Sequence, residues 1–286
     1  MDIASAIDVA VVGTLNMDVI IRVDRMPDVG ETVIGRSRSE RPGGKGANQA
    51  LAAATVTHTA LIGAVGEDDA GLRLVAGQDE GGVDIAHVQR LNGPSGQAII
   101  EVDESGDNRI IVLSGANAML TADSVTRGLE AIHPKIVLTQ LESPQEVTRA
   151  AASWAGDRGR RFILNPSPVA DLDDEILAAA DPLVVNAGEA AHYARLDTDD
   201  PTALARRLLD VSRSVVITLG AEGVVVADNG EIHRIEVDRV RVVDTTGAGD
   251  QFAGILAGHL ARGVPVLDAA ERAAAAATEF VARPRL

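Results

Sequence analysis

Residues 241–254 read RVVDTTGAGDQFAG. A strand-like apolar run over 240–243 stops at Asp244. Two threonines and Gly247-Ala248-Gly249 then lead to Asp250, at the head of an alanine-rich, helix-favouring segment. Strand, tight small-residue turn and helix, in that order, are the unit of a parallel α/β sheet. Such a turn leaves N–H groups unpaired at a helix N-terminus, where an anion is stabilised. Two common phosphate loops do not fit. Gly44-Lys45 is followed by Gly46, which breaks GxxxxGK[ST], and counting GxGxxG from Gly247 puts Phe252 at the third glycine. Asp250 as a helix cap is one reading. Capping does not account for three consecutive small residues, which let a ligand approach the backbone. An acid beside an anion cradle is also a phosphoryl-transfer arrangement, in which the carboxylate takes a hydroxyl proton while N–H groups hold the moving charge.

Outward from this stretch, short β-branched runs alternate with Ala/Leu/Glu/Arg-rich segments. Strands are expected at 9–12, 60–65, 136–139, 162–165, 183–186, 215–219 and 224–227, and helices at 45–54, 122–132, 145–155, 203–210, 249–262 and 269–281. The strands are nearly pure apolar, as burial on both faces of a parallel sheet requires. Two segments break the rhythm. Residues 20–40 alternate and carry Gly and Pro, and QAIIEVDESGDNRIIVL at 97–113 reads as two strands joined around Ser105-Gly106-Asp107-Asn108. Such hairpins form either a separate small sheet over the ligand cleft or surface decoration.

The 286 residues are 46% apolar but only 2% aromatic, so the core must be aliphatic and no base-stacking platform is offered. A net charge of −16 argues against a nucleic-acid partner, so any bound phosphate must be held by local N–H groups or a metal. No cysteine is present, and the six histidines lack HxH or HExxH spacing, which disfavours a zinc hydrolase. The N-terminal MDIASAID carries acids where a signal peptide needs bases, and no run approaches the ~20 apolar residues of a membrane span. A cytoplasmic protein without a membrane partner is the expectation.

Other stretches carry polar groups at strand ends, where ligands of open α/β sheets bind. RPGGKGANQALAAA at 41–54 sets Lys45 and Asn48 on one face of a first helical turn; a Gly-rich turn with a solvated lysine is the plainer reading. GTLNMDVI places Asn16 and Asp18 after the first strand, suited to a polyol or to a simple turn. LTQLESP puts Glu142 after another strand. In VVNAGEAAHY, Asn186 and Glu189 are spaced either for a capping box or for Glu189 to hold the water shell of Mg²⁺. VVITLGAEGVVV offers Thr218, Gly220 and Gly223 at a strand end and hairpin-like turn.

Taken in order, NMD at 16–18, GGKGAN at 43–48, QLESP at 140–144, NAGE at 186–189, TLGAEG at 218–223 and DTTGAGD at 244–250 resemble the ribokinase group of PfkB-type carbohydrate kinases, from about residue 8 to about residue 260. The resemblance implies a three-layer α/β/α sandwich with a mostly parallel central sheet, one domain over 1–286. It also implies a small β-sheet lid from about 19–41 and 96–114 that clasps a homodimer. It implies ATP-dependent phosphorylation of a sugar hydroxymethyl group. Asp250 matches the catalytic base, and Gly247, Ala248 and Gly249 the anion hole. Asn16, Asp18, Gly44 and Asn48, with Glu142, match sugar contacts, and Lys45 lies in the same loop. Asn186, Thr218, Gly220, Gly223 and Gly249 match nucleotide contacts. Glu189 matches the acid that organises Mg²⁺, and Asp244 and Thr246 match half of a K⁺ site.

Both lid segments are polar, which favours a free sugar, ribose first, over a nucleoside. Deoxyribose, fructose, adenosine or pseudouridine as acceptor, and a catalytically impaired sugar- or nucleotide-binding regulator, stay open. A dinucleotide oxidoreductase is disfavoured by the missing third glycine. The chain departs from the family pattern at Gln251, where Thr or Ser is common, and at Ala274, where a polar adenine-side residue is frequent. After the last helix it reads TEFVARPRL, without the family's Arg-x-Gly-Ala-like run. Weak or absent potassium activation is expected on that account.

Overall fold

The computed structural model describes residues 6–283. Its strands are β1 (Val9–Val12), β2 (Asn16–Arg22), β3 (Ser37–Gly43), β4 (Thr59–Gly66), β5 (Asp84–Leu91), β6 (Gly96–Val102), β7 (Asn108–Leu113), β8 (Ile136–Thr139), β9 (Arg161–Leu164), β10 (Ala180–Asn186), β11 (Val215–Thr218), β12 (Val224–Asp228) and β13 (Glu231–Ile235). The helices are α1 (Lys45–Ala54), α2 (Asp69–Glu80), α3 (Ala122–Ile132), α4 (Gln145–Asp157), α5 (Asp174–Ala179), α6 (Ala187–Ala194), α7 (Pro201–Leu208), α8 (Ala248–Ala261) and α9 (Val266–Ala282).

Among the described residues the large sheet runs β13-β12-β11-β10-β9-β8-β1-β4-β5. It is parallel from β5 to β11 and antiparallel where β12 and β13 fold back. Side-chain alternation along each buried strand divides the core in two. Val9 and Val11 pack with Leu74 of α2, Phe252 and Leu256 of α8 and Ala269 of α9. Ala10 and Val12 pack with Val125 of α3, Val147 of α4, Ile176 of α5 and Leu204 of α7. Helices therefore cover both faces of the sheet, and the three-layer α/β/α architecture holds. No described helix is long and apolar enough to cross a membrane.

The small sheet has the order β3-β2-β6-β7, with β2 and β6 parallel and the outer pairs antiparallel. It begins earlier than the hairpin pattern suggests. Asn16 is already paired with Gly43 and Gly96, and Asp18 with Arg41, so the small sheet grows directly out of the loops that carry the polar motifs.

One expected strand is absent. Residues 240–243 form no strand; Val240, Val242 and Val243 are exposed, and the Val243 N–H donates to the Val281 carbonyl at the end of α9 (2.8 Å). Conversely, β5 and β13 (DIAHVQRL and EIHRI) mix polar and apolar residues because they are edge strands, and they carry no pure apolar run to reveal them. Residues 1–5 of MDIASAID and residues 284–286 of TEFVARPRL lie outside the described residues, so the expectations about the two ends stay untested there.

Candidate active site

The carboxyl ends of β1, β8, β9, β10 and β11 place Thr14, Gln140, Asn165, Asn186 and Thr218 along one edge of the large sheet. Two glycine-led turns come over that edge. Gly44 caps α1 at φ 94°, a conformation that L side chains disfavour, and a Cβ there would come within 2.7 Å of the Asn16 amide nitrogen. Gly247 caps α8 at φ 72°, in the left-handed region. Both helix N-termini therefore open toward the same place, and α1 and α8 pack against each other.

Asp250 lies inside the first turn of α8, not at its cap, and makes no capping hydrogen bond. The capping reading is thus replaced. The carboxylate is only 7% exposed; its Oδ1 accepts from Gln49 Nε2 (2.9 Å) and its Oδ2 from Asn48 Nδ2 (3.1 Å). Asn48, read as a sugar contact, is thereby tied to the acid. The Ala248 N–H turns back to the Thr245 carbonyl (3.1 Å), so this amide of the small-residue turn is already engaged.

Two further carboxylates act on Asp18 here. Burial pushes Asp18 up to about 6, the neighbouring Glu142 and Asp250 charges add to the rise, and the Arg41 guanidinium opposes it. Arg41 stands 3.6 Å from Asp18 and 3.7 Å from Asp244, joining the small sheet to the start of the DTTGAGD turn. Asp244 also accepts the Thr246 N–H (2.8 Å). Glu142 braces the Gly-rich turn, accepting from the Lys45 N–H (3.0 Å) and from the Thr14 hydroxyl. Asn16 is buried and its Oδ1 accepts from Asn117 Nδ2 (2.8 Å).

Beside these acids lies a cavity of about 590 Å³ whose wall includes Thr218, Gly220, Gly223, Ala248, Gly249 and Phe252. The α9 residues Ala274 and Thr278 complete it, so a hydroxyl stands one turn from the alanine noted in the sequence. Asn186 and Glu189 are not wall residues. They form a full capping box at the start of α6, the Asn186 N–H donating to Glu189 (2.9 Å) and the Glu189 N–H to Asn186 Oδ1 (2.9 Å). Asn186 nonetheless pairs in register with Thr218, which does line the cavity. Among the described residues no group of three acidic or histidine side chains could hold a metal unaided.

Several site residues were not singled out from the sequence. Gln49 and Arg41 sit inside the quoted Gly-rich stretch, and Gln140 begins QLESP; glutamine and arginine there carried no mark separating them from solvated side chains. Asn165 follows the strand at 161–164, where the strand-end rule alone could have flagged it. Asn117, whose side chain bonds both backbone groups of Leu15, comes from SGANAML far along the chain.

A match to the pfkB family carbohydrate kinase profile spans residues 6–285. The chain is 34% identical to the ribokinase of Schizosaccharomyces pombe over 94% of its own length and 90% of the relative's. It is 34% identical to the ribokinase of Lactococcus lactis over 91% and 86%. The solved ribokinase of Thermotoga maritima superposes with a TM-score of 0.89 at 31% identity, covering 97% of this chain and 93% of that one. A structure of Arabidopsis thaliana ribokinase complexed with ribose and ATP superposes with a TM-score of 0.87 at 28% identity, covering 96% and 93%. By its motifs, its fold and these likenesses, the chain belongs to the pfkB family of carbohydrate kinases.

Proposed function

We propose that the chain transfers the γ-phosphoryl group of ATP to the terminal hydroxymethyl group of D-ribose, releasing ribose 5-phosphate and ADP. The observation that carries this reading is the meeting of the two turns. Asp250 is held by Asn48 of the Gly-rich turn, within range of the Asp18 carboxyl, which the Glu142 charge also reaches, and beside the cavity that Ala248 and Gly249 line. Carboxylates and amides so gathered suit a polyol, because each hydroxyl both donates and accepts.

Asp250 is the base in this scheme. It takes the proton of the sugar's terminal hydroxyl as that oxygen attacks the γ-phosphorus in line and the β–γ bridging oxygen leaves with ADP. Asp18 accepts from sugar hydroxyls, and Asn48 turns the Asp250 carboxylate toward the acceptor. The Gly249 amide and the N-terminus of α8 stabilise the charge on the moving group. The small sheet acts as a lid that excludes water, a competing acceptor. Exposed Ile110, Ile111, Val112 and Leu113 along β7 suit a second copy of the chain, the homodimer proposed here. Its demand for ATP fits a cytoplasmic setting.

Glu189 would hold Mg²⁺ through water, an ion that needs only one or two carboxylates when phosphate oxygens supply the rest and that offsets their charge. A potassium site at Asp244 and Thr246 fits poorly, because Arg41 already sets a positive charge beside that carboxylate. No step depends on it.

Asp250→Asn tests the scheme. Turnover should fall by roughly 10²–10⁴-fold, while calorimetric ribose binding survives. Near-normal turnover would remove Asp250 from the chemistry.

A further inference from the structure

We propose that Gln49 is a positioning residue for Asp250, and that Gln140 fixes the orientation of the Gln49 amide. The inference rests on Asp250 being the base. Gln49 and Gln140 are 0% and 1% exposed, and they come from α1 and from the end of β8, whereas Asp250 belongs to α8. A carboxylate can only accept, so Gln49 must turn its NH₂ group to Asp250. That group donates to Asp250 Oδ1 (2.9 Å) and to Asn165 Oδ1 (3.0 Å). Gln49 Oε1 accepts from Gln140 Nε2 (2.5 Å), and Asn165 presents its oxygen because its own NH₂ donates to the Val184 carbonyl (2.9 Å).

Every amide in this chain of bonds thus has a single consistent orientation. Flipping Gln49 would set a carbonyl against the carboxylate and one NH₂ against another. Gln140 is held in turn by space, since a Cβ on Gly13 would collide with its amide oxygen. That same oxygen is buried without a hydrogen-bond partner among the described residues, a costly state that an apolar side chain of equal volume would avoid. Packing alone does not explain a glutamine there; orienting its neighbour does. The geometric consequence falls on Asp250. Its Oδ1 is tethered from the buried side, which stops rotation of the carboxylate and leaves Oδ2, on the half-buried side shared with Asn48, to meet the sugar hydroxyl.

The test compares Gln49→Met, Gln140→Met and their double variant with the unaltered chain and with Asp250→Asn, in steady-state ribose phosphorylation and thermal melts. Gln49→Met keeps the volume and loses the donor; kcat should fall on the order of 100-fold, as for a misplaced reacting group, with the KM for ribose and ATP unchanged. Gln140→Met should lose less, and adding it to Gln49→Met should lower kcat no further. Unchanged kcat in Gln49→Met, or kcat losses that only track lost folded protein, would overturn the proposal. If Gln49→Met does not fold, Gln140→Met decides by the same split between kcat and KM. Turnover retained by Asp250→Asn would instead sink the base assignment itself. An inactive Asp250→Asn beside a fully active Gln49→Met would sink the positioning role alone.

Discussion

Asp18→Asn should stabilise the protein above neutral pH while weakening its hold on ribose. Asp18 is buried beside Glu142 and Asp250, and in the folded chain its carboxyl is raised from 3.8 to about 6 even with Arg41 opposing. That difference of about 2 units, at 1.36 kcal/mol each, corresponds to ~3 kcal/mol of penalty on the charged form. As pH rises from about 4 to about 6 the unfolded chain has released this proton and the folded chain still holds it, so stability falls across that window. Above about pH 6 the full penalty persists, and asparagine removes it. For a chain of this size 1 kcal/mol moves Tm by about 2 °C, so Asp18→Asn should melt ~6 °C higher at about pH 8. At about pH 5 roughly half of the gain should remain. Differential scanning calorimetry over that range reads it directly, with ribose titrations on the same samples. A variant no more stable than the parent at about pH 8, or a difference that ignores pH, would show that Asp18 carries no such penalty.

Arg41→Gln removes the guanidinium that opposes the rise of Asp18, so the KM for ribose should climb at a higher pH as conditions become more acidic; a KM–pH profile that stays where it was would contradict this. Gly223→Ala puts a Cβ into the Ile235 carbonyl at φ 95°, and should lower unfolding free energy by about 1–3 kcal/mol and raise the KM for ATP, read by denaturant unfolding and kinetics. Replacing K⁺ with a large organic cation should leave the ribose-dependent rate nearly unchanged, since Arg41 already neighbours Asp244; a steep potassium requirement would show that reasoning to be wrong.

The layered fold was legible because its central strands are short apolar runs and its helices alternate with them. What escaped notice lay at the edges. β5 and β13 mix polar with apolar residues, and the apolar run at 240–243 resembled a strand but faces solvent beside α9. The site divides in the same way. The motifs singled out Asp250, Asn48, Asp18 and Glu142, because glycine clusters and strand-end acids are visible in one dimension, and the fold gathers these four around Asp18 and Asp250. The amides that hold them are not visible in that way. Gln49, Gln140, Asn165 and Asn117 matter through pairings between residues 91 to 201 positions apart, and no local pattern records such a pairing. Glu189 shows a third case, since one spacing serves a capping box and a metal-binding acid equally, and the geometry displays the box.

Ribose as the phosphoryl acceptor and Asp250 as the base stand or fall on one measurement. A coupled ADP-release assay across ribose, deoxyribose, fructose, adenosine and pseudouridine, with phosphorus NMR of the product and Asp250→Asn in parallel, tests both at once. Ribose-dependent ADP release should yield ribose 5-phosphate, exceed that with every other acceptor and collapse in Asp250→Asn. Release that ignores ribose, or that favours another acceptor of the panel, would contradict it.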